Sequence, residues 1–390
     1  MPEHDRQSRR RGSRPLAQQR ARGTRGALAA LAAVLLLGAC AQTGAAPAPA
    51  AASASAASPL PKASATPEGT LLVADFGADT VTFVDPERGS VGSVPVGRAP
   101  YGLAVGADGR AWVATAEGVA VVDTRTRTRT ARIPYRTTGT GPVTGGEYRG
   151  GGMGIALSPD GAHAYVGVNV PGTTGVLEVI DTAKVEVSAV VPVGRRPFDV
   201  DVSRDGSEVY VTGHDSFDVT VVPTGSMRPR RIEVAPYGTG GGLGSWLKPH
   251  YAAVRPTDGM LLFPFEGERL AVVDPRTGRT TIEKLTADTH QHGTTVTADG
   301  RLLVVGTGAV EPGKGKGPSL TVRSPDGSER VYPLDGPHED VAVSRDGRTA
   351  YVTGGYTRDG YWNGITVVDL DGGSSHRLAA GSRPLGIAVL

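Results

Sequence analysis

Val202-Ser203-Arg204-Asp205-Gly206, with Tyr210-Val211-Thr212-Gly213 close behind it, reads as an apolar strand, a tight turn and a second strand. Asp-Gly marks a turn for two reasons. Glycine takes a positive φ without steric cost, and the aspartate carboxylate bonds to backbone N–H groups nearby. The pattern occurs six times. The other five are Val105 to Asp108-Gly109, Leu157 to Asp160-Gly161, Arg255 to Asp258-Gly259, Val296 to Asp299-Gly300 and Val343 to Asp346-Gly347. The steps between the glycines are 52, 45, 53, 41 and 47 residues. A repeat of that length, made of strands and turns, predicts a radial or stacked array rather than one irregular core.

One unit parses cleanly. Ile155-Ala156-Leu157 is a first strand and Ser158-Pro159-Asp160-Gly161 its turn. Ala164 to Gly167, Val176 to Asp181 and Ser188 to Gly194 are three more strands, and Arg196-Pro197 opens the next unit. Four antiparallel strands in such a unit make a β-propeller blade. Residues 69–390 also resemble the YVTN family of propeller repeats, through Tyr210-Val211-Thr212-Gly213, Tyr351-Val352-Thr353-Gly354, Val179-Ile180-Asp181-Thr182, Val367-Val368-Asp369 and Val191-Pro192-Val193-Gly194. The resemblance implies the fold and little about activity, since that family includes many binding or uncharacterised surface proteins. The body opens at Gly69 to Ala74 with a second strand and finishes at Arg383 to Leu390 with a first strand. Six whole blades and this composite predict an all-β, seven-bladed propeller whose ring is closed by both ends of the domain.

High Gly (56) and Pro (29) with only 5% aromatics suit an all-β body of about 320 residues, enough for one large domain. Residues 1–39 are different. Arg6, Arg9, Arg10, Arg11, Arg14, Arg20, Arg22 and Arg25 precede an apolar run from Ala27 to Leu37, too short to span a bilayer comfortably. Leu37-Gly38-Ala39-Cys40 then resembles a bacterial lipobox, so a lipoprotein signal peptide over 1–39 with lipidation at Cys40 is expected. An ordinary signal peptide that happens to contain a cysteine is the alternative, and Ser8-Arg9-Arg10-Arg11 hints at twin-arginine export without the apolar pair that should follow. Cys40 is the sole cysteine, so no internal disulfide is possible. Losing eight Arg, one Glu and one Asp takes the formal charge from +2 to −4, so the basicity belongs to targeting, and no nucleic-acid partner is expected. Residues 40–68 carry the lipidated cysteine and an Ala/Pro/Ser/Thr tether too poor in apolar residues to fold. The expected product is a monomer held on the outer side of a bacterial cell membrane.

The turns after the first and third strands of each blade lie on one face and are short. The links after the second strands and between blades lie on the other face and hold every long insertion: 136–151, 168–175, 235–247, 307–317 and 355–364. Length concentrated on one face points to use of that face, for a small molecule, a glycan or a protein. There the inner strands begin, at one ring position: Tyr101, Met153, Phe198, His250, His292, Glu339 and Leu385. His250, His292 and Glu339 come from neighbouring blades, flanked by His290 and His338, with Asp199 and Asp340 one step inward. Imidazole with carboxylate could take a divalent transition metal as cofactor, making a metal-dependent oxidoreductase, hydrolase or lactonase the alternative to a binding module. A metal-free polar pocket and plain channel lining remain open. The register of His250 is in question, because Val254 sits one residue further from its Asp-Gly than its counterparts do. Tyr101, Phe198, Asp199, Trp246, Tyr356 and Trp362 are candidate ligand contacts, with blade capping as the other reading of the loop aromatics. The glycine runs at 150–154 and 240–244 do not stand between a strand and a helix, so neither is a phosphate loop. No nucleophile elbow is present, so no catalytic residue is assigned.

Overall fold

Seven four-stranded antiparallel sheets account for all twenty-eight strands of the computed structural model, which is described for residues 66–146, 148–234, 248–265, 269–286, 291–308, 317–355 and 360–390. No helix occurs among the described residues. The innermost strands of blades 1 to 7 are Pro384–Val389, Leu103–Val105, Gly151–Leu157, Pro197–Val202, Ala253–Val254, Gln291–Val296 and Val341–Val343. Each touches the next, and the seventh touches the first. The seven-bladed ring expected from the repeat is therefore formed.

Blade 1 is the composite. Pro384–Val389 pairs antiparallel with Leu71–Asp75, with Leu71 opposite Val389 and Val73 opposite Ile387. The Gly69 N–H donates to the Leu390 carbonyl at 2.9 Å, and the Leu390 N–H to the Thr70 carbonyl at 2.9 Å.

The core is divided among the seams between blades. Seven apolar clusters each join two neighbours, as Trp112, Val119 and Val121 of blade 2 meet Ile155, Val166 and Ile180 of blade 3. At about 1.5–3 kcal/mol per fully buried large side chain, these seams carry the fold. An eighth cluster, with Phe76, Tyr101, Met153, Phe198 and Leu385, sits at the mouth of the channel.

The Asp-Gly turns form as their chemistry requires. In blade 4 the Gly206 N–H donates to the Ser203 carbonyl at 2.8 Å with φ at 72°, while Asp205 accepts from the Ser203 hydroxyl at 2.7 Å and the Ser207 N–H at 3.1 Å. The Ser207 hydroxyl donates as well, and these bonds, that one foremost, hold the exposed Asp205 carboxyl at about 2. Blade 5 departs from the pattern. Arg255 ion-pairs with Asp258, and the Gly259 N–H reaches back four residues to the Arg255 carbonyl, so Asp-Gly sits one residue later in a turn of the same length as that of blade 4. Val254 then pairs with Leu261 as Val202 pairs with Val209, and His250 keeps its ring position.

Candidate functional site

The first ring position divides into two arcs. Leu385, Tyr101, Met153 and Phe198, from blades 1 to 4, are buried together as an apolar plug, with Tyr101 and Phe198 edge to face at 5.7 Å. His250, His292 and Glu339, from blades 5 to 7, are equally buried but polar. Buried polar groups seek partners, and the polar arc is a string of close polar contacts.

Glu339 lies 3.1 Å from the His292 Nδ1 through Oε2 and accepts the Tyr251 hydroxyl at 3.0 Å through Oε1. The rings of His292 and His250 are 4.9 Å apart. The His250 Nε2 faces the Nε2 of His214 at 3.2 Å, and the His214 Nδ1 faces the Asp215 carboxylate at 2.9 Å. A carboxylate can only accept, so Nδ1 of His214 carries the hydrogen, its Nε2 accepts, and His250 donates through Nε2. Burial holds His214 down at about 4 against the pull of Asp215, so it is neutral. Burial pushes Asp215 up, but the hydrogen bonds from His214 and Lys248 and the nearby charges outweigh it and keep the carboxyl well below the ordinary range. Asp215 also pairs with Arg196 and Lys248, both at 2.9 Å, and there the network reaches the surface. Close contacts thus run from Tyr251 through Glu339, His292, His250 and His214 to Asp215 at the rim, hydrogen-bonded from Tyr251 to Glu339 and from His250 through His214 to Asp215.

His214 is the functional candidate that the repeat did not supply. It stands in the link after the second strand of blade 4, in Gly213-His214-Asp215-Ser216, stacked on Phe198 at 5.4 Å. The signal available was a His-Asp pair on the loop-rich face.

The expected metal ligands do meet. The Glu339 Oε1 accepts from Tyr251 and the His250 Nε2 faces His214, while the Glu339 Oε2 stands 3.1 Å from the His292 Nδ1 without hydrogen-bond geometry. Among the described residues no group of three His, Cys, Asp or Glu is placed to hold a metal ion. His338 lies apart from the network. Its nitrogens face the Gly336 carbonyl and the Thr366 hydroxyl, both at 2.7 Å, and burial holds it at about 4. His290, Trp246, Tyr356 and Cys40 lie outside the described residues.

The remaining candidates turn out to build the ring. At the second ring position Gly386 and Gly102 donate their N–H to the Tyr101 and Met153 carbonyls of the next blade at 3.0 and 3.2 Å. Asp199 does the same work with its side chain, accepting from Val200 and, across the seam, from Ala252, both at 2.9 Å. Asp340 likewise accepts from Val341 and from Ile387 of blade 1. Burial raises Asp199 to about 6 and Asp340 to about 7. Trp362 is half-buried between the Arg377 guanidinium at 4.4 Å and His338 at 5.6 Å. Below the plug the channel holds a cavity of about 190 Å³ lined by Asp199, Asp201, Tyr251, Thr294, Thr295 and Asp340, among others. Asp201 stands where blades 1, 2, 3, 5 and 7 have Ala388, Ala104, Ala156, Ala253 and Ala342, and its buried Oδ2 has no hydrogen-bond partner among the described residues.

No family model matches the chain, and no curated protein matches it. Solved structures do. A protein of unknown function from Desulfotomaculum acetoxidans superposes with a TM-score of 0.63 at 10% identity, covering 82% of this chain and 98% of that one. Periplasmic gluconolactonase from Pseudomonas aeruginosa gives 0.57 at 16% identity, covering 82% and 99%. Virginiamycin B lyase from Staphylococcus aureus gives 0.57 at 15% identity, covering 74% and 88%. At these identities the likeness is one of fold: the chain is a seven-bladed β-propeller.

Proposed function

We propose that this chain is a YVTN-type propeller, exported as a lipoprotein, anchored at Cys40 on the outer side of the cell membrane, and acting as a binding module through its loop-rich face. The observation that carries the reading is the polar network from Tyr251 to Asp215. Four of its members, Glu339, His292, His250 and His214, are deeply buried, and its outer end opens at Arg196 and Lys248, beside the half-buried Tyr148, on the face that holds the long links. A network of this kind rigidifies the groups at its end, so that a ligand meets polar atoms already in place. Some solved propellers of similar fold are a lyase and a lactonase, while here His250 is bonded to His214 and His214 to Asp215.

The test is thermal melting of the mature chain carrying Cys40→Ser against a panel of sugars, amino acids, organic acids, nucleosides and short peptides. At least one class should raise the midpoint. That rise should vanish in Tyr148→Ala and Lys248→Ala and persist in Arg204→Gln, whose exposed side chain sits on the short-turn face. No rise with any class, or a rise indifferent to the loop-face variants, would reject the reading.

A further inference from the structure

Five consecutive links between blades each carry a cation on the loop-rich face: Arg383, Arg98, Arg149, Arg196 and Lys248. Three lie on aromatic rings in or beside the apolar plug. The Arg196 guanidinium is 3.9 Å from the Tyr148 ring centre, Arg149 is 5.6 Å from Tyr101 and 5.8 Å from Phe76, and Arg383 is 4.8 Å from Tyr361 and 5.2 Å from Phe76. Few carboxylates answer them among the described residues. Asp215 is shared by Arg196 and Lys248, Asp79 accepts the Ala99 N–H, and Asp75 is buried against Thr80 and Thr82. Arg149 is the plainest case. It is 1% exposed, and its bonds go to the carbonyls of Ala99 and Gly150, which satisfy its N–H groups but cancel no charge. The buried Nε atoms of Arg196 and Arg383 have no hydrogen-bond partner among the described residues.

An isolated cation in a poorly solvated place is costly unless an opposite charge approaches, and guanidinium groups resting on aromatic faces present both a positive head and an apolar surface. We propose that this half of the loop-rich face binds an amphipathic anion: a carboxylate, sulfonate or phosphate ester joined to an apolar or aromatic body. Arg98, Arg196, Lys248 and Arg383 face the anionic head, Tyr148 and Tyr361 the body, and Arg149 raises the potential from beneath. The assignment rests on the binding reading above and narrows it to a ligand class.

The test uses a matched pair of fluorescent probes on the mature chain carrying Cys40→Ser. 8-Anilinonaphthalene-1-sulfonate has the anionic head, and N-phenyl-1-naphthylamine has the same ring system without it. The sulfonate should bind at least tenfold more tightly, and added salt should weaken it. Arg196→Gln and Arg383→Gln should each cost about tenfold, as expected for loss of a charged hydrogen-bond donor, and the double variant about a hundredfold. Arg196→Lys and Arg383→Lys, which keep the charge, should recover most of the affinity and show that the loss is not misfolding. Arg204→Gln should change nothing. Inorganic phosphate, a head without a body, should compete only weakly. Equal binding of the two probes, an unchanged affinity in the double Gln variant, or competition by phosphate at the probe's own concentration would overturn the proposal. A neutral compound that stabilises the chain through Tyr148 would also overturn it, while leaving the binding reading standing.

Discussion

Deleting Leu385–Leu390 removes most of one strand of twenty-eight, and the loss should be close to the stability of the whole domain. Leu385 and Ile387 are 1% and 8% exposed, so their transfer back to water costs about 2 kcal/mol each. The Gly386 N–H bond to Tyr101, the two bonds that tie Leu390 to Gly69 and Thr70, and the ladder to Leu71–Val73 add about five hydrogen bonds at about 1 kcal/mol. The sum, about 9 kcal/mol, lies inside the 5–15 kcal/mol that native domains typically have. Leu71–Asp75 would also be left as an open apolar edge, which invites association. Urea unfolding followed by circular dichroism, with size-exclusion chromatography, should show an expanded or associated protein with no cooperative transition at the wild-type midpoint. Adding a peptide of residues 384–390 should restore part of it. A truncated protein with an unchanged midpoint and slope would refute the closure argument.

Asp201→Ala gives blade 4 the residue that five other blades have. Burial and then Asp199 raise the Asp201 carboxyl well above its ordinary value, so its native form favours the proton and costs stability as pH rises. The variant should therefore be more stable than wild type by about 1–3 kcal/mol at pH 8, with a smaller gain at pH 5, in paired urea melts; a gain independent of pH would contradict this. Glu339→Gln leaves the His292 and Tyr251 donors with one good acceptor between them, and should cost about 3 kcal/mol, read as a fall in the thermal midpoint. An unchanged midpoint would mean that the network is not closed through Glu339. Cys40→Ser should abolish incorporation of radiolabelled palmitate and release the protein from membranes; retained label would place the anchor elsewhere. Elemental analysis should find transition metal well below one atom per chain, and a stoichiometric metal lost in the His250→Ala, His292→Ala double variant would restore the metal reading.

The fold was legible because its determinants are local and repeated. Asp-Gly needs only a carboxylate and a permissive φ to turn the chain, and it does so at Gly109, Gly161, Gly206, Gly300 and Gly347 with the same positive φ. The ring position was legible too, since strands alternate with period two and the turn fixes the phase. Blade 5 is the exception, because Asp-Gly sits one residue later in a turn of unchanged length, so counting back from the glycine misplaces the strand by one. The roles around the ring were less legible. Asp199 reads in sequence as a carboxylate at a channel mouth, yet its oxygens are taken by two backbone N–H groups, one across a seam. His214 was missed because it lies outside the repeat and becomes part of the site only when Phe198 and His250 come beside it. Such contacts depend on which blades are neighbours, and no spacing along the chain records that.

The order of the strands also has a meaning in time. The strand that completes blade 1 is the last of twenty-eight to be synthesised, and its partner Leu71–Asp75 is the first. The loop between them exceeds three hundred residues, so its closure is entropically late and cannot precede release of the end of the domain. Until then the ring of blades stays open. With the clasp at the end of the domain, the ring locks only after every other blade has been made.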